Sequence, residues 1–149
     1  MEIEKAIVQS KFKSPLEKAV VNIIYTSSWL HSQESSSLKP YGVTIQQYNI
    51  LRILRGQHPN PATITLLTER MLDKMSNASR LVDKLQAKGL VDRKTCPSDR
   101  RQASVLINDA GLAKLLEMDG AMSMVDDHLG KLTEQELELL SDLLDKLRG

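Results

Sequence analysis

One stretch, Thr63 to Ile107, narrows the fold more than any other, because its hydrophobic spacing passes from helix to helix to paired strands within 45 residues. Behind Thr63, a residue type that caps helices, Ile64, Leu67 and Met71 recur at helical intervals over Ile64–Met71. A second helix is expected from about Lys74 to Lys88. Met75, Ala78, Leu81, Val82 and Leu85 share one arc of its wheel, which predicts a core-facing stripe, and Gly89 stops it. Leu90–Lys94 and Gln102–Ile107 then read as strands bracketing a loop over Thr95–Arg101.

The arc opposite the stripe carries Ser76, Asn77, Arg80, Asp83 and Lys84, with Ser79 at its margin. Short polar groups at a helix start followed by arginine suit the edges of base pairs. Asparagine matches adenine there, and arginine matches guanine. The hairpin adds Arg93, Lys94, Arg100 and Arg101, positive charge of the kind a phosphate backbone attracts. Net charge for the whole chain is only +1, but it is unevenly divided. Residues 63–107 hold nine Lys/Arg against five Asp/Glu, whereas residues 108–149 hold four against ten. A basic middle with an acidic tail is compatible with a nucleic-acid face. An ordinary solvated surface remains the competing reading.

The flanks read as helix. Ile3, Ile7 and Val8 suggest a short one within residues 1–13. Ser14, Pro15 and Glu17 carry the signals of a helix start, and Leu16, Val20, Ile23, Ile24, Ser27, Leu30 and His31 continue at helical spacing to about Ser32. The polar run Gln33–Ser37 is expected to break it, with a turn at Lys39-Pro40-Tyr41-Gly42. Thr44 with Gln47 forms a capping box for a helix through Tyr48, Leu51 and Leu54 that Gly56 ends, and Pro59-Asn60-Pro61 forces a loop. Asn108 caps a long helix from Asp109 to about Leu129. Thr133 with Glu136 opens a last one bearing Leu137, Leu140, Leu143, Leu144 and Leu147. That leucine stripe is too apolar to stand alone in water, and a symmetric dimer burying it is expected. The length suits one domain. No apolar run approaches the roughly 18 residues of a membrane helix, so no membrane partner is expected. The mixed charges of the N-terminus do not read as a secretion signal, and one cysteine excludes an internal disulfide framework. A cytoplasmic location is the expectation.

With these residues in view, the chain resembles the MarR family of winged helix-turn-helix regulators. Asp99-Arg100-Arg101-Gln102-Ala103-Ser104-Val105 matches that family's wing signature DxRxxxV. Ser79–Val91 is similar to its recognition helix and the exit into the wing, and Thr44–Leu54 to its second helix. The resemblance implies a mainly α fold with a small β wing (α+β), about six helices and a two- to three-stranded antiparallel sheet. It implies one domain over residues 1–149, with about 1–43 and 108–149 as dimerisation helices and about 44–107 as the DNA-binding lobe. It further implies an obligate homodimer acting as a transcriptional regulator, of the repressor type, on a pseudo-palindromic operator. The helix around Ser76–Lys84 would enter the major groove, Arg101 would reach a minor groove or its phosphates, and Asp99 would brace arginines of the lobe. Asn108-Asp109 departs from the family's usual threonine, but asparagine caps equally well.

Several residues have a sharp and a bland reading. Relatives in this family often take small phenolic or aromatic ligands between the lobe and the dimer region. Tyr25, Trp29 and Tyr48 are candidates to line such a pocket, with core filling as the alternative. Met118, Met122 and Met124 fit either reading, though methionine at helical spacing is ordinarily core. Cys96 is a candidate redox switch or an inert wing thiol. His31, His58 and His128 are scattered, so neither a metal site nor a cofactor is expected. No nucleophile, phosphate-loop or dinucleotide motif suggests an enzyme or any catalytic residue. The alternative to a regulator is a winged-helix dimer serving as a protein-interaction adaptor without an operator of its own.

Overall fold

The computed structural model describes residues 1–94, 97–99 and 102–149, with the side chains of 124–129 outside the description. Among the described residues, seven α-helices and a three-stranded sheet follow one another as α1 (Ile3–Ala6), α2 (Pro15–Leu38), α3 (Ile45–Gln57), β1 (Ala62–Thr63), α4 (Ile64–Arg70), α5 (Ala78–Ala87), β2 (Val91–Lys94), β3 (Ser104–Ile107), α6 (Asp109–Leu129) and α7 (Glu134–Arg148). The sheet is antiparallel in the order β1-β3-β2, pairing Ala62 with Val105 and Arg93 with Val105 from the other side.

Local chemistry sets most of the boundaries. Ser14, Thr44, Thr63 and Thr133 each accept a hydrogen bond from the backbone N–H three residues on, which satisfies a donor the first helical turn would leave unpaired. The capping boxes at Thr44–Gln47 and Thr133–Glu136 form in full. Asn108 caps α6 as expected, its Oδ1 accepting from Gly111 N–H at 2.9 Å.

Gly56, expected to end α3, lies inside it, and the helix runs on to Gln57 with His58 closing it. Two further boundaries differ from the sequence reading. The serine-rich run Gln33–Ser37 does not break α2, which continues to Leu38. Leu38 is fully buried at its end, and packing of that anchor outweighs the weak helix propensity of three serines. The second difference bears on function. The helix expected from Lys74 starts only at Ala78, so residues 72–77 form an ordered turn in front of it.

The core gathers Leu38, Ile50, Leu51, Leu54, Leu67, Val82, Leu85, Val105, Ile107, Leu115 and Met118 where α3, α4 and α5 meet the sheet and α6. At one junction the elements approach closely. Asn108 N–H donates to Leu90 O at 3.3 Å and its side-chain amide to Gly89 O at 3.0 Å, tying the exit of α5 to the start of α6. Gly111 sits against this tie, and a Cβ there would run into the Leu90 carbonyl and come within 2.7 Å of Ile107 Cγ1. Between lobe and α6, the Arg55 guanidinium forks onto the Asp119 carboxylate, which also accepts from the Tyr48 hydroxyl at 3.4 Å. Burial, with Asp119 beside it, pushes the Tyr48 phenol above its ordinary value.

Outside this core, two helices have uncovered apolar faces. Every residue of α7 is exposed except the half-buried Leu144, including Leu137, Leu140, Leu143 and Leu147. On α2, Leu16, Val20, Ile23 and Ile24 are exposed as well. No helix among the described residues is long and apolar enough to cross a membrane.

Candidate nucleic-acid interface

Helix α5 is strongly amphipathic. Ala78, Val82 and Leu85 enter the core, and Arg80, Asp83 and Lys84 face solvent. Its start is fixed by Asn77, whose Oδ1 accepts from Arg80 N–H at 3.0 Å. That oxygen is therefore engaged in capping, whereas a paired contact with adenine requires both ends of the amide. Ser76 is half-buried with its hydroxyl oxygen out of solvent's reach. The Ser79 hydroxyl accepts from Arg93 Nη2 at 3.2 Å. Of the polar residues expected to read bases, Arg80 is exposed and Ser76, Asn77 and Ser79 are tied into local structure.

Arg93 departs from expectation too. Its side chain is only 2% exposed, lies against α5, and is ion-paired to Asp83 while reaching the Ser79 carbonyl at 3.5 Å. The alternation of β2 explains this. Lys94 points to solvent, so its neighbour Arg93 points to the opposite side, onto the helix. Arg93 thus clamps the strand to α5 instead of joining the exposed cations. Past Lys94 the hairpin is described at Pro97–Asp99 and from Gln102, whose N–H donates to the Asp99 carbonyl at 3.2 Å. Cys96, Arg100 and Arg101 lie outside the described residues.

The turn before α5 brings out two side chains the sequence reading missed. Met75, expected in the core, is 93% exposed, and Leu72 is 83% exposed. The wheel was misleading because Met75 keeps the spacing of Ala78, Val82 and Leu85. The signal that could have corrected it was Asn77, a residue type favoured at caps and not inside helices. The turn is well tied. Leu72 N–H donates to Asn49 Oδ1 and Met75 N–H to Asp73 Oδ1, both at 3.0 Å, and Ser76 N–H donates to Asp73 O at 3.1 Å. The Met75 N–H, joined by the Gln46 amide, holds the Asp73 carboxyl below its ordinary value.

The three aromatic candidates are not brought together. Tyr25 and Trp29 line a cleft of about 380 Å³ with Asn22, Thr26 and Lys131. Tyr48 is buried in the core and faces Asp119, because α3 presents it inward. Met118 is core and Met122 packs beside it, while the side chain of Met124 is outside the description. Among the described residues no cluster of His, Cys, Asp or Glu is arranged to hold a metal.

Residues 41–102 match the family model described as MarR family. The fold matches many solved structures along nearly its whole length. A MarR transcription factor from Planctomyces limnophilus is 29% identical, with 91% of this chain and 98% of that one covered and a TM-score of 0.68. AbsC, a MarR family transcriptional regulator from Streptomyces coelicolor, is 23% identical over 93% and 96% of the two chains, with a TM-score of 0.76. MepR from S. aureus, solved as a DNA complex, is 18% identical over 84% and 92%, with a TM-score of 0.72. Family model and fold agree over the helix-turn-helix and the first part of the wing, and the chain has a winged helix-turn-helix fold similar to that of solved MarR family regulators.

Proposed function

We propose that this chain is a sequence-specific DNA-binding repressor that grips a pseudo-palindromic operator as a homodimer. The observation that carries the reading is the outward face of α5. Arg80 and Lys84 stand exposed on a helix whose other side is locked into the core, with Lys94 at the start of the wing beside it. In the proposed complex Arg80 reads a base, Lys84 and Lys94 hold phosphates, and Arg100 and Arg101 continue that contact from the wing. Asn77 sets the helix start, Ser76 belongs to the turn before it, and Arg93 with Ser79 keeps wing and helix in register. The solved DNA complex of MepR, which shares this fold, adds support.

Dimerisation is supported by the uncovered leucines of α7 and the apolar face of α2. We assign residues of about 1–43 and 108–149 to that role and about 44–107 to DNA. A stable interface buries about 800 Å² per partner, an area for which these two helices supply apolar side chains. A twofold axis there would set two recognition helices about one DNA turn, roughly 34 Å, apart. Release by a small aromatic ligand is supported by the Tyr25–Trp29 cleft, where Lys131 offers a charge for an anionic group.

The test is a titration against selected and scrambled duplexes at several salt concentrations. A regulator keeps a preference of about 10³ or more for its operator as salt rises. An adaptor would bind both duplexes weakly and alike.

A further inference from the structure

Resting on the DNA-binding reading above, we infer that Met75, with Leu72 beside it, is an apolar base reader that contacts the 5-methyl groups of thymine in the operator. Three observations lead there. The first is exposure: two large apolar side chains project almost fully into solvent within four residues, on a lobe whose other apolar residues are mostly buried. The second is rigidity. Bonds from Leu72 N–H to Asn49, and from Met75 and Ser76 N–H to Asp73, define the turn, so both side chains are held out by a built scaffold. The third is position. The turn leads directly into the first residue of α5, and the N-terminal end of a recognition helix is the part that reaches base edges.

The neighbouring charges select the occupant. Lys74, Arg80 and Lys84 are exposed around the turn against the carboxylates of Asp73 and Asp83, the latter already paired with Arg93, and this balance favours a polyanion over an apolar peptide. The chemistry of the adjoining side chains then selects the base. Arginine reads guanine, and Arg80 is available for that. The Asn77 oxygen that adenine would need is committed to the helix cap, and the Ser76 hydroxyl is buried. An A·T pair is left with its thymine methyl as the feature this surface can recognise, and methionine is a flexible apolar side chain suited to it.

The experiment uses the full-length protein and a duplex selected from a random pool. Each thymine is replaced in turn by deoxyuridine, which removes the methyl group and leaves every hydrogen bond in place. The wild-type protein should lose affinity about three- to fivefold at one or two positions per half-site, the factor expected for one buried methyl group. Met75→Ala should bind the thymine duplex more weakly and show no further loss with deoxyuridine at those positions. Met75→Leu should retain most of the discrimination. The inference is overturned if every replacement is neutral for the wild type, or if Met75→Ala together with Leu72→Ala leaves the methyl dependence intact. Failure of the wild type to prefer any duplex would instead strike the DNA-binding reading, and this inference with it.

Discussion

Arg80 and Arg93 are both arginines of the proposed recognition region, yet they belong to different chemistry. Arg80→Ala should relax preference at one base pair per half-site at a cost of about 1–3 kcal/mol, read out by repeating the duplex selection with the variant. Unchanged discrimination would remove Arg80 from the readers. Arg93 is buried against α5 and bonded to Asp83 and Ser79, so Arg93→Ala should lower unfolding stability by about 1.5–3 kcal/mol in denaturant titration. Its neighbour supplies the control. Lys94→Ala should reduce the slope of log K against log salt by about 1 and leave folding untouched, whereas Arg93→Ala should leave the slope as it was. At this scale the sequence was only partly legible. Residue type and charge single out the proposed recognition region, but strand alternation turns Arg93 inward, and the Asn77 cap ties up the side chain expected to read a base.

At the scale of elements, the sequence carried more, because caps and periodicities are local. Thr44, Thr63, Asn108 and Thr133 open helices where their side chains predict. The continuous α2 was not legible, since what decides it is the burial of Leu38 in a core assembled from distant segments. The same dependence on tertiary approach governs two glycines. Gly111→Ala should destabilise by about 1–3 kcal/mol, because its Cβ would meet the Leu90 carbonyl at the junction of α5 and α6. Gly56→Ala, in a helix with open space around it, should stabilise by about 0.5–1 kcal/mol. Thermal unfolding of the two variants should shift in opposite directions. The last helix adds a pH dependence. Thr133 N–H, at 2.8 Å, and the Thr133 hydroxyl hold the Glu136 carboxyl below the ordinary glutamate value of 4.5. A depressed carboxyl contributes its full stabilisation above that ordinary value and loses it as the pH falls through the lower one. Helicity followed by circular dichroism should therefore drop in acid. Glu136→Gln, which can still complete the box, should remove its share of that drop.

Across the whole molecule, the lobe exposes Arg80, Lys84 and Lys94, while the exposed leucines of α7 and the apolar face of α2 lack cover within a single chain. The proposed pairing of two chains through those helices would bury the leucines and duplicate the proposed recognition surface. Leu140→Glu combined with Leu143→Glu should therefore give a folded monomer whose operator affinity falls steeply. The most direct test is sedimentation velocity of the wild-type protein on duplexes whose half-sites are moved apart. Two chains per duplex are expected at the selected spacing, with a loss of about tenfold or more when half a turn, roughly 5 base pairs, is inserted. One chain per duplex, with affinity indifferent to the insertion, would contradict the proposed pairing.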